Sequence, residues 1–249
     1  MLTDISVAID LEATGMDPVR DEIIEIGAVK FRGDTVIDRF QTLIRPRGNV
    51  SLAIKRLTGI TPQDLQDAPR LPAVLPRLRD FIRTAPLIGQ SISFDLDMLQ
   101  AAGMVITNQS FDTFELATVL LPELTSYSLV NIATSLGVSI DGQHRAVSDA
   151  ETTMRVFNAL YARADTFDDA TLERLVEMTR GNREALSRFF ASLLRQRQAD
   201  GELAGGATIG AQFLTQLSAS MQTGPEAQFL LPRDRPQRLE STLSERPID

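Results

Sequence analysis

Apolar and polar positions alternate at the start of the chain. Ile5, Val7 and Ile9 favour β-structure, and their spacing predicts a strand that leads into a Thr14-Gly15 turn. Two further strand-like runs, "EIIEIGAVKF" at 22–31 and "DTVIDRFQTLI" at 34–44, flank a short Arg32-Gly33-Asp34 turn. Together these three predict an antiparallel meander. The spacing then becomes helical over "SLAIKRLTGIT" (51–61) and "LPAVLPRLRDFI" (71–82), with Pro72 and Pro76 near the start of the second. "APLIGQ" (85–90) has the look of a short buried strand, and "FDLDMLQAAG" (94–103) of a helix closed by Gly103. "SFDTFELATVLL" (110–121) predicts a strand end that enters a helix, and "SLVNIATSLGV" (128–138) a further helix stopped near Gly137. Residues 145–163 form a strong helix, with Ala146, Ala150, Thr153, Phe157 and Leu160 or Tyr161 on one stripe.

Strands first, followed by helices alternating with short strands, predict an α/β protein with a mixed central sheet flanked by helices. Two more helices are expected after residue 168. In the second, Leu186, Phe189, Phe190, Leu193 and Leu194 repeat with the spacing of an amphipathic helix. That stripe is expected to pack on the chain's own core, with a partner-docking face as the alternative. From about 199 onward Gly, Ala, Gln, Pro and charge dominate, which predicts a mobile tail or linker. The organisation expected is a domain over 1–165, a helical extension over 166–198 and a tail over 199–249.

Composition narrows the function classes. The apolar fraction of 43% and charged fraction of 23% are those of a soluble globular protein. No apolar run approaches a membrane span, and Asp4 stands where a signal peptide would be basic, so a cytoplasmic protein is expected. The absence of cysteine excludes disulfides and thiolate metal sites. A formal charge of −8, spread over both halves of the chain, argues against a protein that coats nucleic acid. Any contact with nucleic acid would therefore be local, at a site whose charge is offset by metal.

Candidate chemistry begins with Asp10 and Glu12. Alternation places both on one side of the first strand, with Cα atoms roughly 7 Å apart. Like charges at that distance repel unless a cation lies between them or one takes up a proton. For this pair alone, a divalent metal site and two solvated carboxylates are equally good readings. Two distant stretches add weight: Asp95 near the start of a helix, and His144 just before another helix that carries Asp149 in its first turns. His144 is the only histidine, and a lone histidine is more often structural than chemical.

These blocks resemble the DEDD exonucleases of the histidine subtype, a family that includes the epsilon proofreading subunit of bacterial replicative polymerase, ribonuclease T and oligoribonuclease. "DLEATG" (10–15) is similar to the family's Asp-x-Glu-x-Thr-Gly block, and "SFDLDML" (93–99) to its Phe-Asp block. "HRAVSDA" (144–150) is similar to the block with His followed five positions later by Asp. The resemblance covers about residues 4–163. It implies a ribonuclease H-like fold and a metal-dependent 3′→5′ exonuclease that acts on single-stranded 3′ ends, with DNA favoured over RNA. It further implies that Asp10, Glu12, Asp95 and Asp149 hold two Mg²⁺ or Mn²⁺ ions and that His144 is the general base. All-oxygen ligands suit such hard cations.

One departure stands out, because Gln90 and Ser91 occupy places where the family commonly has His-Asn. Ser91 keeps a hydroxyl that donates and accepts. Thr14, Gly15 and Met16 are expected beside the terminal nucleotide, with Met16 as a soft apolar surface. Phe94 is a candidate stacking surface, with a core position as the stronger alternative. Asp97 shares no helix face with Asp95, Asp112 reads as a helix cap, and Glu25 and Glu151 read as solvent-facing or supporting residues. Within the family the exonuclease module also occurs as a polymerase subunit or fused to DinG-type helicases. A polymerase or helicase partner is therefore expected, although the chain has no phosphate-binding loop of its own. A ribonuclease and a catalytically silent scaffold are the remaining alternatives; a scaffold would normally have lost one of the acids.

Overall fold

The structure is a computed structural model that describes residues 4–140, 145–181 and 183–200, with side chains described through 198. Its framework is a five-stranded sheet of β1 (Ser6–Ala13), β2 (Ile23–Arg32), β3 (Thr35–Leu43), β4 (Leu87–Gly89) and β5 (Ser110–Asp112). The order is β3-β2-β1-β4-β5. β1, β2 and β3 pair antiparallel, whereas β4 pairs parallel with β1 and β5 parallel with β4. The mixed sheet and the opening meander are as the hydrophobic pattern predicts.

β1 is buried along its whole length, so both of its faces are covered. Its side-chain parity separates two cores. Val7, Ile9, Leu11 and Ala13 join the core beneath α3 (Leu71–Ile82) and α4 (Ser93–Ala101). Ala8 faces the opposite core, with Val29 and Phe31 of β2 and with α5 (Thr113–Leu120), α6 (Leu129–Ser135) and α7 (Ala146–Ala164). Asp10 and Glu12 continue the Ala8 face, so the strand that builds the core also carries two acids into it.

The short helices α1 (Leu52–Thr58) and α2 (Pro62–Gln66) follow β3. The hydrophobic spacing merges them into one helical region; they separate because Gly59 caps α1 in the left-handed conformation and Thr61 opens α2 through a capping box with Asp64. α3 matches its expected bounds and buries Val74, Leu78, Phe81 and Ile82 at helical spacing. The predicted stripe of α7, from Ala146 through Tyr161, is buried against β1 and β2.

α8 (Asp169–Thr179) and α9 (Glu184–Asp200) pack on each other, and α9 also reaches β5. The apolar stripe of α9 covers the chain's own core: Phe189 lies edge-on to Phe111, Phe157, Tyr161 and Phe190, with ring centroids 5.3–6.0 Å apart. Because Phe189 is buried among four aromatic rings, Phe189→Ala is expected to cost about 3–5 kcal/mol in urea unfolding. An exposed docking stripe would lose far less.

Candidate active site

Asp10 and Glu12 lie in the last turns of the pleat of β1, opposite Gly27 and Glu25 of β2. The register shifts between Glu12 and Ala13, a bulge that ends the regular ladder beside the acids. Both acids are nearly inaccessible, at 8% and 4% exposure. Asp149 sits in the first turn of α7, where the helix dipole favours a carboxylate. Oxygens of Asp10, Glu12 and Asp149 all lie within 4.8 Å of one another. At that separation and an effective dielectric of ~20, each pair of charges repels by roughly 3 kcal/mol.

Asp95 comes from α4, on the other side of the sheet. β4 ends at Gly89, so it leaves the backbone of β1 beyond Ala8 without a strand partner on that edge. There the Leu11 N–H donates to Asp95 Oδ1 at 3.0 Å, which fixes the fourth carboxylate to the backbone between Asp10 and Glu12. Asp10 and Glu12 of β1 thus meet Asp149 of α7, and Asp95 of α4 is tied to the backbone between the first two. His144 lies outside the described residues.

The connection from β4 to α4 is held by Asp112. Its carboxylate accepts from the N–H groups of Ser91, Ile92 and Phe114 at 2.8, 3.1 and 2.9 Å. It caps α5 as its sequence position suggests, and it also clamps Ser91, whose φ of 55° is in the left-handed region. Although Asp112 as a residue is only partly buried, loss of solvent around its carboxyl pushes its pKa up to about 7, against three donors that favour the ionised form. Gln90 is equally committed: its amide nitrogen donates to the Tyr127 carbonyl and its oxygen accepts from Thr113 Oγ1. The replacements for His-Asn therefore tie β4 to α5 and to the segment before α6.

The loop after β1 is braced through Asp21. Thr14 Oγ1 donates to Asp21 Oδ1 and accepts from the Glu22 N–H, so this hydroxyl is engaged within the protein. A Cβ on Gly15 would stand 2.3 Å from Asp21 Oδ2, so a side chain there would displace the Asp21 carboxylate that braces the loop. Met16 remains 37% exposed and is available to a ligand. Phe94 is not: it is buried in the α3–α4 core, which corrects the expectation of a stacking surface in favour of the core alternative. The helical backbone that turns Asp95 toward β1 turns Phe94 into that core, and Asp97 is exposed.

Glu25 is fully buried opposite Glu12 and is paired with Arg145, which rules out the solvent-facing reading and leaves the supporting one. A glutamate amid "IIEIGAV" carries a signal in principle, because it shares a face with Gly27 and, across the hairpin, with Glu12. That signal needs the β1–β2 register, which the sequence alone leaves open.

The donor set is all carboxylate and crowded, with Asp149 partly open to solvent, and it fits hard divalent cations that offset mutual repulsion. Comparisons with known proteins give the family and the fold. The family model described as Exonuclease, of the ribonuclease T type, matches residues 7–157. The chain is 36% identical over 155 residues to a PolC-type DNA polymerase III of Caldanaerobacter subterraneus subsp. tengcongensis, a match covering 61% of this chain and 11% of the relative. It is 35% identical over 162 residues to the DNA polymerase III epsilon subunit of Aquifex aeolicus, covering 63% of this chain and 80% of that one. The chain thus spans about a tenth of the PolC-type relatives and most of the epsilon subunit.

Among solved structures, Exonuclease X in complex with 5′-overhanging duplex DNA has the same fold. Its TM-score is 0.55 at 21% identity, over 63% of this chain and 90% of that one. The nuclease domain of 3′hExo, a DEDDh family member bound to rAMP, has a TM-score of 0.55 at 22% identity, over 64% and 92%. The chain belongs to the ribonuclease T family of exonucleases.

Proposed function

We propose that this protein hydrolyses the terminal phosphodiester at single-stranded 3′ ends, with DNA favoured over RNA, and releases nucleoside 5′-monophosphates. The observation that carries this reading is the meeting of Asp10, Glu12 and Asp149 within 4.8 Å, with Asp95 bonded to the intervening Leu11 N–H. In the reaction a water oxygen forms a bond to phosphorus and the bond to the 3′ oxygen breaks. The shortened strand keeps a 3′ hydroxyl and the released nucleotide keeps the phosphate. Two divalent cations, Mg²⁺ or Mn²⁺, would supply positive charge at the phosphate and lower the cost of ionising water.

The chain's own residues have separate tasks. Asp10, Glu12, Asp95 and Asp149 bring four negative charges, which two divalent cations would balance, so that an acidic protein accepts a phosphate. His144 takes the proton of the attacking water; an imidazole of ordinary pKa near 6.5 suits that step at neutral pH. Met16 and the backbone of the Thr14-Gly15 turn lie beside the terminal nucleotide, with the loop held in place by Asp21. Ser91, fixed by Asp112, offers a further polar contact at the start of α4.

His144→Ala is expected to lower the hydrolysis rate at least about 10²-fold while leaving Mn²⁺ affinity nearly unchanged. It should also remove the rise in rate between pH 6 and 8 that a histidine base gives. A retained rate and pH profile would remove His144 from that role.

DNA is favoured because both relatives named above are DNA polymerase III proteins. The same likeness makes a replicative polymerase the proposed partner, with a helicase as the alternative the sequence raised. Matched DNA and RNA oligonucleotides digested side by side test the preference: faster loss of DNA is expected, and faster loss of RNA would overturn it. Discrimination would act through the 2′-hydroxyl of the terminal nucleotides.

A further inference from the structure

Glu25 is fully buried and faces Glu12 directly across the β1–β2 ladder. Like charges opposite one another on neighbouring strands repel, and a buried carboxylate needs compensation to remain ionised. Most of the compensation comes from the start of α7. Arg145 Nη2 donates to Glu25 Oε1 at 2.9 Å, and Arg145 Nε donates to both carboxylate oxygens at 3.3 and 3.2 Å. The Ala146 N–H donates to Oε2 at 3.2 Å, and Gln41 completes the set from β3.

Arg145 is the N-cap residue of α7 and Ala146 its first helical residue. The Arg145 carbonyl in turn accepts the Asp149 N–H at 3.0 Å, the bond that begins the helical ladder. One carboxylate on β2 therefore holds the side chain and the backbone from which the turn bearing Asp149 is built. Gly27, on the same face of β2, brings that turn closer still: a Cβ there would stand 2.1 Å from the backbone of Ala146 and Val147. The hydrogen bond to Glu25 also holds the Arg145 guanidinium above its ordinary pKa.

We propose that Glu25 is a positioning residue which, through Arg145 and the Ala146 N–H, fixes the start of α7 and so holds Asp149 against Asp10 and Glu12. This rests on reading those three acids as cation ligands. A buried ion pair is a poor source of net stability, because desolvation offsets much of its attraction. The arrangement is better explained by the geometry it imposes, in the way that groups behind a metal site orient its ligands.

Glu25→Gln, Arg145→Gln and the double variant, each made in the full chain, test the proposal by Mn²⁺ calorimetry and by steady-state kinetics on a labelled oligonucleotide. Each single variant is expected to lose about 10–100-fold in both Mn²⁺ affinity and kcat. KM for the oligonucleotide should stay nearly unchanged, because the loss is not in substrate binding. Excess Mn²⁺ should recover part of the rate in both single variants and none in Asp149→Ala. The double variant should be no worse than the weaker single, since the two residues act as one unit.

Folded variants with wild-type Mn²⁺ affinity and kcat, however much less stable, would overturn the proposal; so would losses that multiply in the double variant. Should either single variant fail to fold, the double variant decides, because it removes both charges together and leaves neither buried alone. Mn²⁺ affinity that falls on Glu25→Gln, in a protein whose wild type never cleaves nucleic acid, would keep the positioning role and refute the nuclease reading. Cleavage that is indifferent to Glu25 would do the reverse.

Discussion

Asp149→Ala is expected to abolish hydrolysis, with a rate loss of more than about 10³-fold, and Asp10→Ala to do the same. The magnitude follows from the position of each carboxylate among charges that converge within 4.8 Å. Changing a residue that merely orients a ligand costs about 10–100-fold, so loss of a ligand itself must exceed that range. The effect on folding should have the opposite sign. Removing one of three mutually repelling charges relieves roughly 3 kcal/mol per pair at an effective dielectric of ~20. Without metal, Asp149→Ala should therefore unfold at or above the wild-type temperature. Addition of Mn²⁺ should raise the wild-type unfolding free energy by about 2.7 kcal/mol at a hundred times the dissociation constant, and raise that of the variant hardly at all. Thermal scans with and without Mn²⁺, beside a cleavage assay, check both parts; a variant that cleaves at the wild-type rate contradicts the assignment.

Gly27→Ala carries the second large effect. Glycine-to-alanine changes in a compatible backbone commonly stabilise by about 0.4–1 kcal/mol through the unfolded chain. Here that gain is overridden, because the new methyl would meet the backbone of Ala146 and Val147 at 2.1 Å. Backbone atoms cannot rotate away as a flexible side chain does, so α7 must lift from β2 by more than an ångström. Displacement of a reacting group by about 1 Å costs on the order of 10²-fold in rate. Overpacking adds about 1–3 kcal/mol of lost stability. The variant should therefore unfold earlier and cleave at least 10²-fold more slowly, with weakened Mn²⁺ binding because Asp149 travels with the helix. Wild-type stability and rate would mean that the first turn of α7 is not seated on Gly27.

Much of this arrangement is legible in the sequence. Alternation in β1 puts Asp10 and Glu12 on one face, and the helical stripe from Ala146 to Tyr161 defines which side of α7 meets the sheet. Asp95 and Asp149 sit in the first turns of predicted helices, so their direction follows once the helices are placed. What resists reading is pairing across long separations. Glu25 and Arg145 are 120 residues apart, and no periodicity says that a strand glutamate will accept from a helix start. Gly15 and Gly27 read as turn or strand glycines; their reason is a neighbour that fills the space of a side chain, which is a tertiary fact. Phe94 and Asp95 are adjacent, and only the packing of α4 decides that the ring is covered while the carboxylate reaches β1. Gln90 and Ser91 read as a departure from the family's His-Asn, and only the structure places the Gln90 side chain and the Ser91 backbone N–H in the ties between β4 and its neighbours.

The proposal that carboxylates from β1, α4 and α7 hold divalent cations acting on a 3′ terminus is open to one decisive assay: digestion of a 5′-labelled single-stranded DNA over time, with Mg²⁺, with Mn²⁺ and with chelator. A ladder that shortens one nucleotide at a time from the unlabelled end is expected, dependent on metal and stopped by chelator. Internal cuts, immediate release of the labelled 5′ nucleotide, or digestion that continues in chelator would contradict it.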